Sequence, residues 1–495
     1  MEVQFEKRSW PCLMTVASQT RQEEQTQEVR LGENMPDIGR VLGTWGQFLL
    51  RGKEWRSTGM TVSGGVMVWV LYAPEDGSEP QSVESWIPFQ LKWEFPETRH
   101  DGVMLIAPQL AMVDARSVSA RKLMVRATVS CYGQAMEPDA VDVYTPGKLP
   151  EDVHLHKTSY PVSLPREAGE KAFSLDETIT LPVDTGRLIS FRVSPQIQDT
   201  NVVAGKAVFR GTAHCHLLFE TGSGRLETHD HPFQFSQFAD LDRSYETETH
   251  VRVIPAVTNL EMDLEEGNRV HIQCGLLGQF CVSDRSMLEV AEDAYSNRRP
   301  VTVQQEILML PAELEESVHK LQLVANAELE SADVIEGGLF CPQPRLERSP
   351  DQALVEQEGT FQLLCQTPAG LRGIAARAKD QLILPADGNA SLRVYGMPTG
   401  QVHTAADLGG IRMDGEVDIH CITVTDQGIP MITGLTLGEP TKPDPDRPSM
   451  ILRRSGGKSL WDLAKASGSA VEDIMQINQL QGEPEEDRLL LIPVQ

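Results

Sequence analysis

Two closely spaced histidine pairs are the residues of this sequence whose types and spacing could support chemistry. They are His214-Cys-His216 and His229-Asp-His231. Residues two apart on a strand share a face, so each pair could present two imidazoles to one metal ion. The equivalent positions of an internal repeat, described below, hold Met67 and Trp69, which argues against a metal site. We therefore expect no metal, and histidines that face solvent or a neighbouring module.

Enzyme motifs are missing from the sequence. It contains no Gly-x-Ser-x-Gly elbow, no P-loop and no dinucleotide fingerprint. Cys365 has only distant histidines around it in the sequence, and most isolated cysteines are packing residues. The eight cysteines form no CxxC pair, which predicts reduced thiols in the core or at the surface. We predict a protein that is not an enzyme and needs no cofactor.

A long internal repeat supplies the elements that would position these side chains. Asp37-Ile-Gly-Arg-Val-Leu42 resembles Asp184-Thr-Gly-Arg-Leu-Ile189, which begins 147 residues later. From each Asp the match runs without a gap to Tyr72 and Phe219. A repeat of this length predicts domains with their own cores, because solenoid repeats are much shorter.

Strict alternation marks one strand in each copy. Residues 64–72 and 211–219 place apolar side chains on matching faces, the pattern of a half-buried strand. In the first copy the opposite face carries Met67, Trp69 and Leu71. This apolar stripe needs a cover, which either a neighbouring module or an external partner would provide.

The sequence predicts a mainly β protein, with tandem β-sheet modules followed by a small β-α-α-β domain. A degenerate third copy is expected, because the Asp-x-Gly-Arg signal is missing near residues 331–335; an unrelated β domain is the alternative. The predicted divisions are a first module with a lead-in (1–150), a second module (151–311), the third (312–439), a Pro-rich linker (440–449) and the tail domain (450–495).

Four stretches inside the modules carry polar, proline or glycine signals. The polar run 18–28 predicts a loop or short helix, and 138–164 resembles a linker. Residues 286–311 repeat that linker pattern. Asp426-Gln-Gly428 between apolar runs predicts a hairpin turn.

Charge and hydropathy limit the class of partner. The formal net charge of −27 and a pI near 4.9 argue against nucleic acid or an anionic membrane as the main partner. The first residues lack the apolar stretch of a secretory signal, and no run of about 18 apolar residues suggests a membrane span. We therefore expect a cytoplasmic protein.

Capping residues define two helices in the tail. Ser459 is placed to cap a helix that begins at Leu460, and Gly468 to end it. Ser469 and Glu472 suggest a second capping box. Strand-like runs precede and follow these helices, which gives the β-α-α-β order.

The tail resembles a LysM domain through 457–464, 471–478 and 489–493. The family's Gly-Asp-Thr is replaced here by Gly457-Lys458-Ser459. The resemblance implies a shallow groove for N-acetylglucosamine glycans, between the loop before the first helix and the loop after the second. The candidate partner- or glycan-binding residues are Gly457, Lys458, Ser459, Trp461, Asn478, Gln479, Leu480, Gln481 and Gly482. Trp461 remains open as either a core residue or a surface anchor.

The upstream modules resemble the SPOCS domain of spore-coat morphogenesis proteins. The Asp-x-Gly-Arg signals, the strands ending at 72 and 219, and Pro88-Phe89 with Pro232-Phe233 carry this resemblance. Together with the LysM-like tail, they are similar to the SipL type of spore-forming Firmicutes. That implies a mother-cell scaffold at the forespore surface, docked through its tail to the SpoIVA-type ATPase of the coat's basement layer and associated with other coat proteins. The alternative is a binder of cell-wall or cortex glycans.

Overall fold

The computed structural model describes residues 1–494, except 246–248, 330–331, 387, 389, 408–409, 442–447 and 485–486. Most of the described chain lies in antiparallel strands, and its two short helices belong to the tail. The prediction of a mainly β fold is therefore confirmed. Most of the predicted Pro-rich linker lies outside the described residues.

Six strands form the first set, in two three-stranded sheets ordered β1-β6-β5 and β2-β3-β4. They are β1 (Phe5–Arg30), β2 (Ile38–Arg56), β3 (Gly59–Pro74), β4 (Gln81–Glu94), β5 (Val103–Ser119) and β6 (Lys122–Pro146). The second set repeats this pairing as β7-β12-β11 and β8-β9-β10. Its strands are β7 (Val153–Thr180), β8 (Thr185–Val203), β9 (Lys206–Thr221), β10 (Leu226–Asp240), β11 (Thr249–Glu265) and β12 (Arg269–Ser296).

The third set has the same order of pairing with one change. Its long sheet is β13-β19-β18, and β16 pairs with β17 on one side. On the other side two short strands, β14 and β15, replace the single strand of the first two sets. The strands are β13 (Val301–Glu328), β14 (Asp333–Phe340), β15 (Arg345–Arg348), β16 (Gln352–Thr367), β17 (Gly370–Pro385), β18 (Ala390–Asp407) and β19 (Gly410–Leu437).

The predicted loop, linkers and turn are wrong. Residues 18–28 belong to β1 and pair along β6, so their polar side chains lie on a strand. Most of 138–164 and of 286–311 continues the long strands on either side of a short connection. Residues 426–428 lie within β19, where they pair with β13. Each local signal was overridden by pairing with a distant strand.

The prolines in these stretches occupy positions that tolerate a missing N–H. Pro161 lies in β7 and Pro311 in β13, which are edge strands of their sheets. Pro138 lies in β6 beyond Met136, the last residue that pairs with β5. A proline is compatible with a sheet where its nitrogen faces no neighbouring strand. These prolines therefore lie within strands rather than in linkers.

Central strand β3 is covered on both faces. Leu71 is fully buried, Trp69 is 5% exposed, and Met67 packs against the core of the second set. The apolar stripe is therefore covered, in part by a neighbouring strand set. Close packing also explains why the repeat has glycine at Gly64 of β3 and at Gly211 of β9. A Cβ on Gly211 would lie 2.6 Å from the ring of Phe235.

Apolar residues from all three sets meet in shared clusters. One cluster combines Cys12 and Val141 of the first set with Val162 and Leu288 of the second and Ile429 of the third. All eight cysteines of the chain are unpaired and buried. Because each set contributes to cores of the others, the three sets form one packed body.

Buried polar side chains also cross between sets. Gln279 of β12 is fully buried, and its amide group donates to Ile106 O at 2.8 Å. Its carbonyl oxygen accepts from Ile106 N at 3.1 Å and from Lys53 Nζ at 2.9 Å. Without these hydrogen bonds, little would offset the free-energy cost of removing the amide from water. Gln279 therefore fixes the second set against the first.

The tail follows the order strand, helix, helix, strand. Its elements are β20 (Met450–Arg454), α1 (Leu460–Ser467), α2 (Val471–Asn478) and β21 (Leu489–Pro493), with β20 antiparallel to β21. Ser459 accepts from Asp462 N and Gly468 adopts a left-handed conformation, so α1 begins and ends where the sequence predicted. The second capping box is wrong, because the N-cap of α2 is Ala470, which has no capping side chain.

Replacing Gln279 with Ala is expected to destabilise the body by about 1–3 kcal/mol, since Ile106 N, Ile106 O and Ile254 O each lose a hydrogen bond in a buried site. Chemical denaturation followed by circular dichroism measures the change. Gln234→Ala, on an exposed position of β10, is the matched control and should leave the midpoint unchanged. Equal midpoints for the two variants would contradict the assigned role of Gln279.

Candidate functional site

Two neighbouring loops of the tail carry most of the candidate binding residues. Gly457 and Lys458 are exposed between β20 and α1, while Ser459 is half-buried because it caps α1. After α2, Gln479, Gln481 and Gly482 are exposed and Leu480 is half-buried. The two loops therefore offer accessible polar groups on one side of the tail.

A carboxylate connects these two loops. Both oxygens of Glu483, from the loop after α2, accept from Leu460 N at the start of α1, at 3.0 and 2.9 Å. The first backbone N–H groups of a helix have no intrahelical partner and favour a negative charge. Glu483 therefore places a negative charge between the loops, where the LysM resemblance predicts a glycan groove.

Asn478 bonds to the backbone of β21. Its side-chain amide donates to Leu491 O at 2.6 Å, and its carbonyl oxygen accepts from Leu491 N at 2.9 Å. The same amide donates to Ile474 O at 2.8 Å. These bonds supply hydrogen-bond partners to the backbone of Leu491 and attach β21 to α2. Asn478 therefore has a structural role.

Trp461 lies against the second strand set. The indole ring is 9% exposed and stacks on His156 with ring centroids 4.9 Å apart. It also meets Tyr295 edge-on at 4.7 Å, and its N–H donates to Asp293 Oδ2 at 2.9 Å. The sequence left Trp461 open as either a core residue or a surface anchor. In the structure it is buried in the contact between the tail and the body.

A salt bridge completes this tail–body contact. Lys465 Nζ lies 2.6 Å from Asp293 Oδ2, and the Tyr295 hydroxyl donates to Ser469 O at 2.8 Å. Burial alone would raise the pKa of Asp293, but hydrogen bonds from Lys465 and Trp461 lower it below its usual value. Sequence reasoning missed Asp293 and Tyr295, because both fall in a stretch that resembled a linker.

Of the two histidine pairs, His214 and His216 lie where the second and third sets meet, whereas the ring contacts of His229 and His231 are within the second set. His216 hydrogen-bonds through Nδ1 to Asp230 and through Nε2 to Glu336, at 2.6 Å each. Glu336, on β14, is fully buried and also pairs with Arg192. His214 lines an adjacent cavity of about 150 Å³. Among the described residues, no group of three or more His, Cys, Asp or Glu side chains is arranged to hold a metal ion.

The partners of His216 require a protonated ring. Carboxylates accept hydrogen bonds, so both ring nitrogens donate, and only the imidazolium has two N–H groups. Burial lowers the pKa of His216, but the charge of Glu336 and the bonds to Asp230 and Glu336 raise it to about 9. His216 and Glu336 therefore form a charged contact between two strand sets.

This contact predicts a pH dependence of stability. The folded-state pKa of His216 lies above the unfolded value near 6.5, so its stabilisation is complete below pH 6.5 and is lost as pH rises to about 9. The loss is on the order of 3 kcal/mol, because the pKa rises from 6.5 to about 9 and a change of one in pKa corresponds to about 1.4 kcal/mol. Comparing thermal midpoints of the native chain and His216→Gln across this range tests it. Parallel curves would contradict the charged contact.

Removing the carboxylate of Asp293 should release the tail from the body. Asp293→Ala leaves the Trp461 N–H and Lys465 without their partner, and leaves the tail's own core untouched. Limited proteolysis should then separate the tail several times faster than in the native chain. Asp142→Ala, which removes an exposed salt bridge of the first set, is the control. Equal cleavage rates for all three proteins would show that Asp293 does not hold the tail.

Neither of the two described helices is long and apolar enough to cross a membrane.

Comparison with known proteins gives a match over one segment of the chain. No curated protein and no solved structure matches the chain. Residues 184–265, which span β8 to β11, match the family model described as SipL, SPOCS domain. This segment of the second set is therefore similar to the SipL SPOCS domain, which indicates a sporulation-related role.

Proposed function

We propose that this chain is a non-enzymatic scaffold of spore coat assembly. The observation that carries the proposal is the match of residues 184–265 to the SipL SPOCS domain. The packed β body supports it, because three strand sets with shared cores can present several surfaces to other coat proteins. The proposed location is the mother-cell side of the forespore surface.

The three strand sets are, in this proposal, three copies of one SPOCS-like module. The support is their common order of pairing, in which the third copy differs by the division of one strand into β14 and β15. Related modules with different surfaces would provide several attachment points at fixed spacing. Such a scaffold needs neither a cofactor nor a catalytic group.

The tail is, in this proposal, a LysM domain that docks to the SpoIVA-type ATPase of the coat. Lys458 and its neighbouring loop residues are exposed and accessible to a protein partner. Glu483 supports protein docking over glycan binding, because its carboxylate lies between the two loops and is bonded to Leu460 N. A neutral sugar would have to displace this charge from the helix N-terminus.

Calorimetric titration of the full-length chain tests this function. One titration uses the purified SpoIVA-type ATPase and a second uses a chitooligosaccharide. We expect binding to the ATPase and none to the sugar. The reverse result would overturn the proposal and identify a glycan binder.

Charge reversal at the first loop makes the test specific. Lys458→Glu should weaken binding to the ATPase at least fivefold, because Lys458 is exposed in the proposed docking region and complementary charges govern protein selectivity. Lys92→Glu, on exposed surface of the first set, is the control and should bind like the native chain. Identical affinities of the Lys458 variant and the native chain would remove the first loop from the docking region.

A further inference from the structure

A large cleft lies between the first and third strand sets. Its volume is about 1340 Å³ and it is open to solvent. Residues of β1, β5 and β6 line one wall, and residues of β15 to β18 line the other. Pockets for small molecules usually measure about 300–1,000 Å³. The size of the cleft therefore favours a segment of a larger molecule.

Strand edges form much of the cleft wall. The cleft is lined by consecutive residues, 18–20 of β1, 375–379 of β17 and 392–394 of β18. Neighbouring residues of a strand point to opposite faces, so a run of consecutive residues indicates an edge of the strand rather than a face. Each of these three strands has a single hydrogen-bonded neighbour in the described chain. Such edges present backbone N–H and C=O groups with which an extended peptide can pair.

Arg393 of β18 is a half-buried cation that lines the cleft. It forms neither a hydrogen bond nor an ion pair with another described residue. Burial lowers the pKa of Arg393 below its usual value, and the charge of Arg252 lowers it further. Removing a guanidinium from water is costly unless an anion pairs with it. Within the described chain, Arg393 therefore lacks the carboxylate that would offset this cost.

The charge of the cleft differs from that of the chain. Four basic side chains line the cleft, Arg345, Arg377, Lys379 and Arg393, against three acidic ones. The chain as a whole has 44 basic and 71 acidic residues. The local excess of cations favours an anionic partner, whereas the acidic side chains among them oppose a polyanion such as nucleic acid. A peptide with separate carboxylates meets both conditions.

We propose that the cleft binds an extended acidic peptide of a partner protein, with one carboxylate of the peptide paired to Arg393. Two parallel N–H groups of a guanidinium match the two oxygens of a carboxylate, so this pair fixes the position of the peptide along the cleft. Strand edges in the cleft wall bond to the backbone of the peptide. The inference goes beyond the proposed function, because it requires neither the tail nor a particular coat protein.

Binding of the labelled full-length chain to an array of short peptides tests the inference. Each peptide has Glu or Gln at its centre, and the flanking residues vary in the same way in both groups. We expect the best Glu peptides to bind at least tenfold more strongly than their Gln partners, because only the carboxylate forms a charged hydrogen bond with Arg393. Equal binding of the two groups by the native chain would overturn the inference.

Substitutions at Arg393 assign the preference for Glu to the cleft. Arg393→Gln should bind both groups of peptides equally, with a thermal midpoint close to that of the native chain, because no partner among the described residues is lost. Arg393→Lys keeps the charge without the two parallel N–H groups and should retain part of the preference. Arg372→Gln, on an exposed position of β17 outside the cleft, is the matched control and should bind like the native chain.

Other outcomes would also overturn the inference. An unchanged preference for Glu in Arg393→Gln would place the bound carboxylate elsewhere on the chain. A much lower thermal midpoint of that variant would show that Arg393 supports folding instead of a ligand. Arg393-dependent binding of inorganic phosphate, without a preference for Glu peptides, would identify a site for small anions.

Discussion

The body depends on apolar surface that each strand set buries against the other two. Phe340 and Leu364 of the third set belong to the core cluster of the first, and Leu49 of the first belongs to that of the second. Removal of this area from water is the dominant favourable contribution to folding, at about 25 cal/mol per Å². A strand set by itself would expose these residues, so the three sets are expected to be stable only together.

Polar contacts inside this body determine how the sets are oriented. Arg252 of β11 is 8% exposed, donates to Gln134 of the first set and lies 3.4 Å from Glu316 of the third. Buried charges and amides are costly unless they are paired. Gln279 and the pair of His216 with Glu336 follow the same rule at other contacts. Apolar burial therefore drives association, and the few buried polar pairs select one arrangement.

Different parts of the tail make different contacts. Helix α1 uses Trp461 and Lys465 to contact the second strand set. Asn478 and Glu483 hold the loops and the edge of β21, which leaves the loop side chains exposed. Leu452, Leu489 and Leu491 are exposed on the face of the tail's sheet that points away from its helices. The contact with the body therefore leaves the loops and the outer face of the tail's sheet accessible.

The sequence alone determined the elements whose signals are local. Alternation in 64–72 and 211–219 gave two central strands, and Ser459 with Gly468 gave the ends of α1, because capping and side-chain period act within a few residues. Only the tertiary structure decided that the polar run 18–28 is a strand, that Trp461 faces the body, and that His216 meets Glu336. Each of these depends on a partner at least 96 residues away, which supplies the hydrogen bonds or charge that the local sequence lacks.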